Sequence, residues 1–475
     1  MTTEVAAVDD AGPATSRRER RRGALPERSF TVGLAVVAGL GLLVRWAYIW
    51  RIGRKIPIGG DAGAYFYLGR NLANGLGYIR PYDYELSHHV RVVPTAEFPP
   101  LFPGWLALLH LVGIDSFSVE KYATAVLGAV LVVLIGFLGR KVAGRAVGLV
   151  AALLAAAYPL FIASDGGLTA ETLYGVLIVG FLLAFLAALD RPAVWRWVVV
   201  GLIVGFAALT RSEALALVVF VVVPIVLARR KALAGGWGGA LRMIGVTVLA
   251  TLVVVTPWLI RDRVVMKGFV PISNNSGTML AGANCHEAYY TFHLGHWLFR
   301  CVMADTVLGF NEMQQAKHFR KDGLDYARAH KGRVPYVAAV RVMRTYGVWD
   351  FRDEINLESF ESRNHSWLTG GHWFYFAMIP FSVAGMVLGF RRRRRYLWPL
   401  ASTLIMVAVV SALSYGNQRF RLAAEPAIIV FAAVAVVRLL AFRWPRLWDR
   451  AADDPPPSSE REAGPVREQE PESVA

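Results

Sequence analysis

Phe30-Thr31-Val32-Gly33-Leu34-Ala35-Val36-Val37-Ala38-Gly39-Leu40-Gly41-Leu42-Leu43-Val44-Arg45-Trp46-Ala47-Tyr48-Ile49-Trp50 carries a single charge, Arg45. A bilayer core takes about 20 mostly apolar residues as a helix, so the stretch is long enough to span. Arg17, Arg18, Arg20, Arg21 and Arg22 precede it, and no small-residue cleavage site follows directly. It therefore reads as a retained span and not a secretory signal. Working outward, further apolar runs lie at Tyr122–Leu138, Ala146–Ala163, Leu173–Leu189, Trp197–Leu209, Ala214–Ala228, Met243–Ile260, Trp373–Phe390, Tyr396–Leu413 and Pro426–Ala441. The expected fold is an all-α polytopic membrane protein with about ten transmembrane helices. Composition agrees: 55% of the 475 residues are hydrophobic and 18% charged, where soluble domains carry about 25% charged.

The net charge of +16 would raise nucleic-acid binding for a soluble chain. Its distribution points elsewhere. With the N-terminus inside, the inner loops contain Arg140, Lys141 and Arg145, then Arg191 and Arg196, then Arg229, Arg230, Lys231 and Arg242, then Arg391 to Arg395, and the last span is followed by Arg443, Arg446 and Arg450. Each is basic, as the positive-inside bias requires. The charge reports orientation, and no nucleic-acid partner is expected. This divides the chain into a basic cytoplasmic tail (1–29), a transmembrane module (30–260) with a long first outer loop (51–121), an extracytoplasmic segment (261–372), further transmembrane helices (373–441) and a Pro/Ser-rich, disordered cytoplasmic tail (442–475). The expected setting is the plasma membrane, with both termini in the cytoplasm and any site on the outer face. Outer segments this long exceed ordinary helix connections and mark function.

Several outer stretches carry chemistry-bearing residues. Gly59-Gly60-Asp61-Ala62-Gly63-Ala64-Tyr65 opens the first loop; Asp61 is either a helix cap or a carboxylate held at the membrane face to take a proton from a hydroxyl. Glu97-Phe98-Pro99-Pro100-Leu101-Phe102-Pro103 forces a stiff entry into a short interfacial helix ending near His110, read as a surface or interface histidine. Asp165 and Glu171 stand six positions apart between two spans, and an acid at the start of an apolar span is a functional candidate by default; either Asp165 or Thr169 capping the next helix is the alternative. Arg419 and Arg421, in an outer connection, offer planar forks suited to phosphate, or alternatively pair with an acid such as Glu425. Cys285 and Cys301 lie in the second outer segment, where a disulfide and two free thiols are both open. His286, His293 and His296 nearby read as surface histidines more readily than as a metal site.

The ordered set of these stretches, with Leu209-Thr210-Arg211-Ser212-Glu213 and Thr256-Pro257-Trp258-Leu259-Ile260-Arg261, resembles the GT-C membrane glycosyltransferases, in the bacterial branch related to protein O-mannosyltransferases and the lipid A aminoarabinose transferase. The resemblance implies an inverting transfer of a sugar from a polyprenyl-phosphate donor to an envelope acceptor at the outer face of the lipid bilayer. Asp61 and Glu171 match its acidic positions and are the expected catalytic residues. Arg419 and Arg421 match the basic motif expected at the donor phosphate. Tyr65 and Arg211, within the matching stretches, and Glu97 and Asp165, just outside them, are the expected substrate-binding residues. Many relatives carry a second acid directly after the first. Ala62 stands there instead, which leaves dependence on a divalent metal ion open. The competing expectation is a transporter or flippase of a lipid-linked intermediate. No phosphate-binding G-x-x-x-x-G-K-[ST] motif occurs, which argues against ATP-driven transport.

Overall fold

The computed structural model describes residues 26–443 apart from 89, 91 and 234, with backbone alone for 390–393. The cluster Arg17–Arg22 and the Pro/Ser-rich tail lie outside the described residues. The chain is helical; the only extended pairing among the described residues is an isolated bridge between Ile79 and Pro94.

Among the described residues, seven helices are long and apolar enough to cross a membrane: Glu27–Lys55, Phe117–Ala143, Glu171–Asp190, Gly236–Val265, His365–Gly389, Arg394–Leu413 and Glu425–Arg443. Arg145–Ala157 and Pro159–Asp165, bent by 58°, form an eighth if counted as one span. The bend has a local cause. Pro159 lacks an amide hydrogen and pushes Tyr158 out of helical geometry, to ψ 111°. The expected runs Trp197–Leu209 and Ala214–Ala228 correspond to shorter apolar helices, Val194–Ala208 and Ser212–Ala228.

Outward faces of the long helices carry exposed apolar side chains, such as Leu40 and Leu43 on the first and Leu249, Val253 and Ile260 on Gly236–Val265. Such stripes are costly in water and cost little against lipid. Inward, Phe30, Ile135, Phe185, Trp197 and Ile429 pack into one continuous core. Residues 365–413 are helical throughout but reverse direction between Gly389 and Arg394. Phe351 stacks on His372 near one end, and Thr345 bonds Ser411 near the other. Close approach is made possible by Gly385, where a Cβ would meet the carbonyl oxygen of Phe431 at 1.8 Å.

At one end of the bundle Lys141 and Arg395 both pair with Asp190, at 2.5 and 3.6 Å. The opposite end carries the segments of interest: helix Gly60–Ala73, helix Leu101–Leu111, the turn around Arg211, and residues 266–364. This last segment is itself helical, and Cys285 and Cys301 are joined in a disulfide within it. Glu312 fastens it to the first loop by accepting from the Ala96 backbone N–H at 2.8 Å, and Asn274 N–H donates to the Ala96 carbonyl at 2.8 Å.

Candidate active site

Asp61 sits in the first turn of Gly60–Ala73, whose preceding residue is Gly59; its side chain makes no capping bond. Gly60 adopts φ +54°, and a Cβ there would lie 2.4 Å from a Glu361 carboxylate oxygen. Only glycine allows that approach. Through it the Asp61 N–H donates to Glu361 Oε2 at 2.8 Å, and the Tyr82 hydroxyl donates to the Gly60 carbonyl at 2.8 Å. The Asp61 carboxylate, freed from capping, accepts from Arg419 Nη2 at 2.7 Å.

Arg419 lies in the short 3-10 turn Gln418–Ala423 between the last two long helices. Asn417 caps that turn, its Oδ1 accepting the Arg419 N–H at 2.7 Å, while its Nδ2 donates to Glu358 at 2.6 Å. The guanidinium spans two acids, with Nη2 on Asp61 and Nε on Glu171. Glu171, first residue of its helix, gathers two more arginines: Arg211 Nη1 donates to Oε1 at 2.6 Å, and Arg363 Nη2 lies 3.4 Å from Oε2. Arg211 also bonds Glu213 at 2.5 Å, and Arg363 bonds Glu358. One ion network thus draws together residues near positions 61, 171, 211, 360 and 419.

Exposure separates the two acids. The Asp61 side chain is 28% exposed and that of Glu171 only 1%, so Asp61 is reachable from outside and Glu171 is not. Burial works against the charge on Arg419, but Glu171, Asp61, Glu361 and Glu358 outweigh it and hold the guanidinium protonated. Burial, then Asp61, pushes Glu361 up to about 7. Burial, then Glu312 and Asp61, does the same to Glu97, also to about 7. Tyr65 is buried against Phe98 and Phe102, and burial followed by Asp61 and Glu171 raises its hydroxyl well above the usual range. As for a metal, among the described residues the only groups of three candidate ligand atoms close enough for one ion are Cys285, Glu287 and Cys301, whose two sulfurs are taken up by the disulfide, and Asp305, His318 and Asp322. Neither includes a residue of the network.

Against this geometry stand the comparisons. Residues 97–260 match the family model of dolichyl-phosphate-mannose-protein mannosyltransferases. No curated protein sequence matches. Among solved structures, the archaeal oligosaccharyltransferase AglB from Archaeoglobus fulgidus, in complex with an inhibitory peptide and a dolichol-phosphate, superposes with a TM-score of 0.52 at 17% identity over 88% of this chain and 51% of that one. The same organism's oligosaccharyltransferase in complex with zinc and sulfate gives 0.52 at 15%, over 87% and 50%. The chain has the GT-C fold. It spans about half the length of these GT-C structures. ArnT from Cupriavidus metallidurans, bound to undecaprenyl phosphate, gives 0.39 at 16%, over 88% of this chain and 80% of that one.

Several expectations change within the GT-C frame. Arg421 does not join Arg419. Alternate positions of a tight turn face apart, and Arg421 is fully buried, bonded to Glu425 at 2.5 Å and set 3.5 Å over the Tyr375 ring. The acid-pairing alternative is the one adopted in this structure. Asp165 is likewise committed: Arg45 donates to it at 2.5 Å and Thr172 at 2.7 Å. The pair ties the first span to the bent helix, a structural tie that sets Asp165 apart from the network around Arg419. His110 takes the interface position of the two that were expected, its ring 2.6 Å from the buried Glu120 of the next helix. His296 is buried, 3.3 Å from Glu354, where a surface position was expected.

Sequence reading passed over Glu358, Glu361, Arg363 and Asn417. The first three belong to helix Phe351–Ser359 and the turn after it, inside a polar segment where charged residues are ordinary. Only the run Glu358 to Arg363 just before an apolar span hinted at them.

Proposed function

We propose that the protein is a membrane glycosyltransferase that moves a sugar from a polyprenyl-phosphate donor to a hydroxyl of an envelope acceptor at the outer face, with inversion. The observation that carries this is Arg419 bridging an accessible acid, Asp61, and a buried one, Glu171, at the ends of apolar helices. A polyprenyl tail stays in lipid while its phosphate lies at the interface, so the leaving group needs a cation at that depth. Arg419 supplies it, supported by Arg211. In the reaction the acceptor oxygen bonds to the anomeric carbon and the bond from that carbon to the phosphate oxygen breaks. The phosphate leaves with the electron pair, and the acceptor proton passes to Asp61. Donor phosphate competes with Asp61 for Arg419, so donor binding itself frees the base. Glu171, saturated by arginines, takes a positioning role. Tyr65 and Glu97, both within the electrostatic reach of Asp61, take substrate-contact roles.

Proteoliposomes carrying the full chain, given radiolabelled polyprenyl-phosphate mannose, glucose or arabinose and an envelope fraction, test the reading. Expected is label in the acceptor fraction together with free polyprenyl phosphate. Movement of intact lipid-linked sugar across the bilayer without cleavage would instead make the protein a flippase.

A further inference from the structure

Helix Glu27–Arg51 ends on the side of the bundle that carries Asp61, and its last turn runs into the short 3-10 turn Gly53–Lys55. Trp50, Arg51, Arg54 and Lys55 are all exposed there. Lys121, buried in the neighbouring span, fixes the turn by donating to the Gly53 carbonyl at 2.9 Å. The guanidiniums of Arg51 and Arg54 lie 5.7 and 5.6 Å from the centre of the Trp50 ring. Among the described residues no acid pairs with Arg51, Arg54 or Lys55. The other end of the same helix differs, since Glu27 there takes both Arg140 and Arg145, at 2.6 and 2.8 Å. Three cations lie close together, two of them on one indole and none neutralised. They leave a local positive charge that attracts an anion from outside the protein.

The surface beside the cations tells what carries that anion. Val36, Leu40, Leu43 and Trp50 are each more than half exposed and follow one another at helical spacing, so they form one apolar stripe that ends at the indole. Such a stripe lies against acyl chains, and a tryptophan at its end marks the headgroup level. A lipid whose chain runs along the stripe therefore brings its phosphate to Arg51 and Arg54, whose planar forks match phosphate oxygens. A free phosphate gains nothing from the stripe. Trp50–Lys55 holds no carboxylate or amide side chain to read sugar hydroxyls, so it senses headgroup charge alone. Arg419, which the donor phosphate must reach, is 9% exposed and belongs to the separate network around Glu171.

We propose that Trp50, Arg51, Arg54 and Lys55 form a binding site for an anionic phospholipid of the leaflet on the Asp61 side. The site stands apart from donor and acceptor and holds whether or not the protein transfers a sugar. Ile56-Pro57-Ile58-Gly59-Gly60 alone separates it from Asp61, and the Ser362 hydroxyl holds that link by donating to the Pro57 carbonyl at 3.1 Å. A bound headgroup thus fixes the depth of the loop that carries Asp61.

The full chain in phosphatidylcholine nanodiscs tests it. The discs are doped with phosphatidylglycerol or phosphatidylcholine carrying a diazirine at the same acyl position, irradiated, and the labelled residues mapped. Each Lys or Arg at a membrane surface favours an anionic lipid about five-fold. The phosphatidylglycerol probe is expected to label residues 36–50 about ten-fold or more over the phosphatidylcholine probe. In the triple variant Arg51→Gln, Arg54→Gln, Lys55→Gln that excess is expected to fall to about two-fold or less. Labelling of Gly236–Val265 in the same sample reports the fold and is expected to stay at the wild-type level. Equal labelling of residues 36–50 by both probes in the wild type overturns the proposal, as does an excess that survives in a folded triple variant. Unlabelled phosphatidylglycerol is expected to compete the excess away, and polyprenyl phosphate at the same concentration to leave it. The reverse pattern gives the patch to the donor lipid and overturns the proposal. If the triple variant loses its fold, the wild-type comparison and the competition decide.

Discussion

Replacing Glu171 by Gln keeps the shape of the side chain and removes the charge that three guanidiniums share. Oε1 accepts from Arg211 at 2.6 Å and from Arg419, and Oε2 faces Arg363 at 3.4 Å. With the side chain 1% exposed, water cannot take over these contacts. Each arginine keeps one other acid, Glu213, Asp61 or Glu358, so no guanidinium is left wholly bare. Hydrogen bonds to charged groups contribute about 1.5–3 kcal/mol and neutral ones about 0.5–1.5, so weakening two of them costs about 2–3 kcal/mol. Three like charges then converge on a neutral amide, which brings the total to about 3–5 kcal/mol, the range for opening a buried pair. Asp61→Asn, at a partly exposed position, should cost only about 1 kcal/mol. Unfolding in mixed micelles, followed by denaturant titration, measures both. A Glu171→Gln protein within about 1 kcal/mol of wild type would refute the view that this buried acid organises the site.

Other outcomes follow from the same geometry. Arg419→Lys loses the fork that reaches two acids at once and is expected to weaken polyprenyl-phosphate binding about ten-fold or more. Arg421→Met is expected to lower the unfolding midpoint while the remaining folded protein binds the lipid with wild-type affinity; paired titrations of both variants check the split. Binding of a polyprenyl-phosphate mannose, whose phosphodiester keeps one charge throughout, should weaken about five-fold between pH 6 and pH 8, roughly 1 kcal/mol of added repulsion. The sign follows from Glu361, which is protonated below its value of about 7 and ionises beside Asp61 and Arg419 above it. Glu361→Gln should remove much of that step, leaving the contribution of Glu97, and a flat wild-type profile contradicts the assignment.

Hydropathy made the spans legible, because a stretch such as Phe30–Trp50 has few alternatives once about 20 residues lack charge. Three residues of the ion network were legible for local reasons: Asp61 follows two glycines at a span end, Glu171 begins an apolar helix, and Arg419 breaks the charge bias of its loop. What stayed hidden depended on facing direction and on distant partners. Arg419 and Arg421 are alike in sequence, and only the turn Gln418–Ala423 decides that one meets Asp61 and the other Glu425. Asp165 looked as available as Glu171 until Arg45, 120 residues earlier, claimed it. Beyond the charged run before an apolar span, Arg363 and Glu361 carry no local mark, since the partners that draw them to the site are some 190 and 300 residues away.

The central claim is that Asp61 is the base and Arg419 its gate. Single-turnover transfer by purified Asp61→Asn, with donor affinity measured on the same preparation, tests it most directly. Transfer is expected to slow by about 100-fold or more, with donor bound as tightly as by wild type or more so, because Arg419 is released. Transfer at the wild-type rate with donor bound would contradict it.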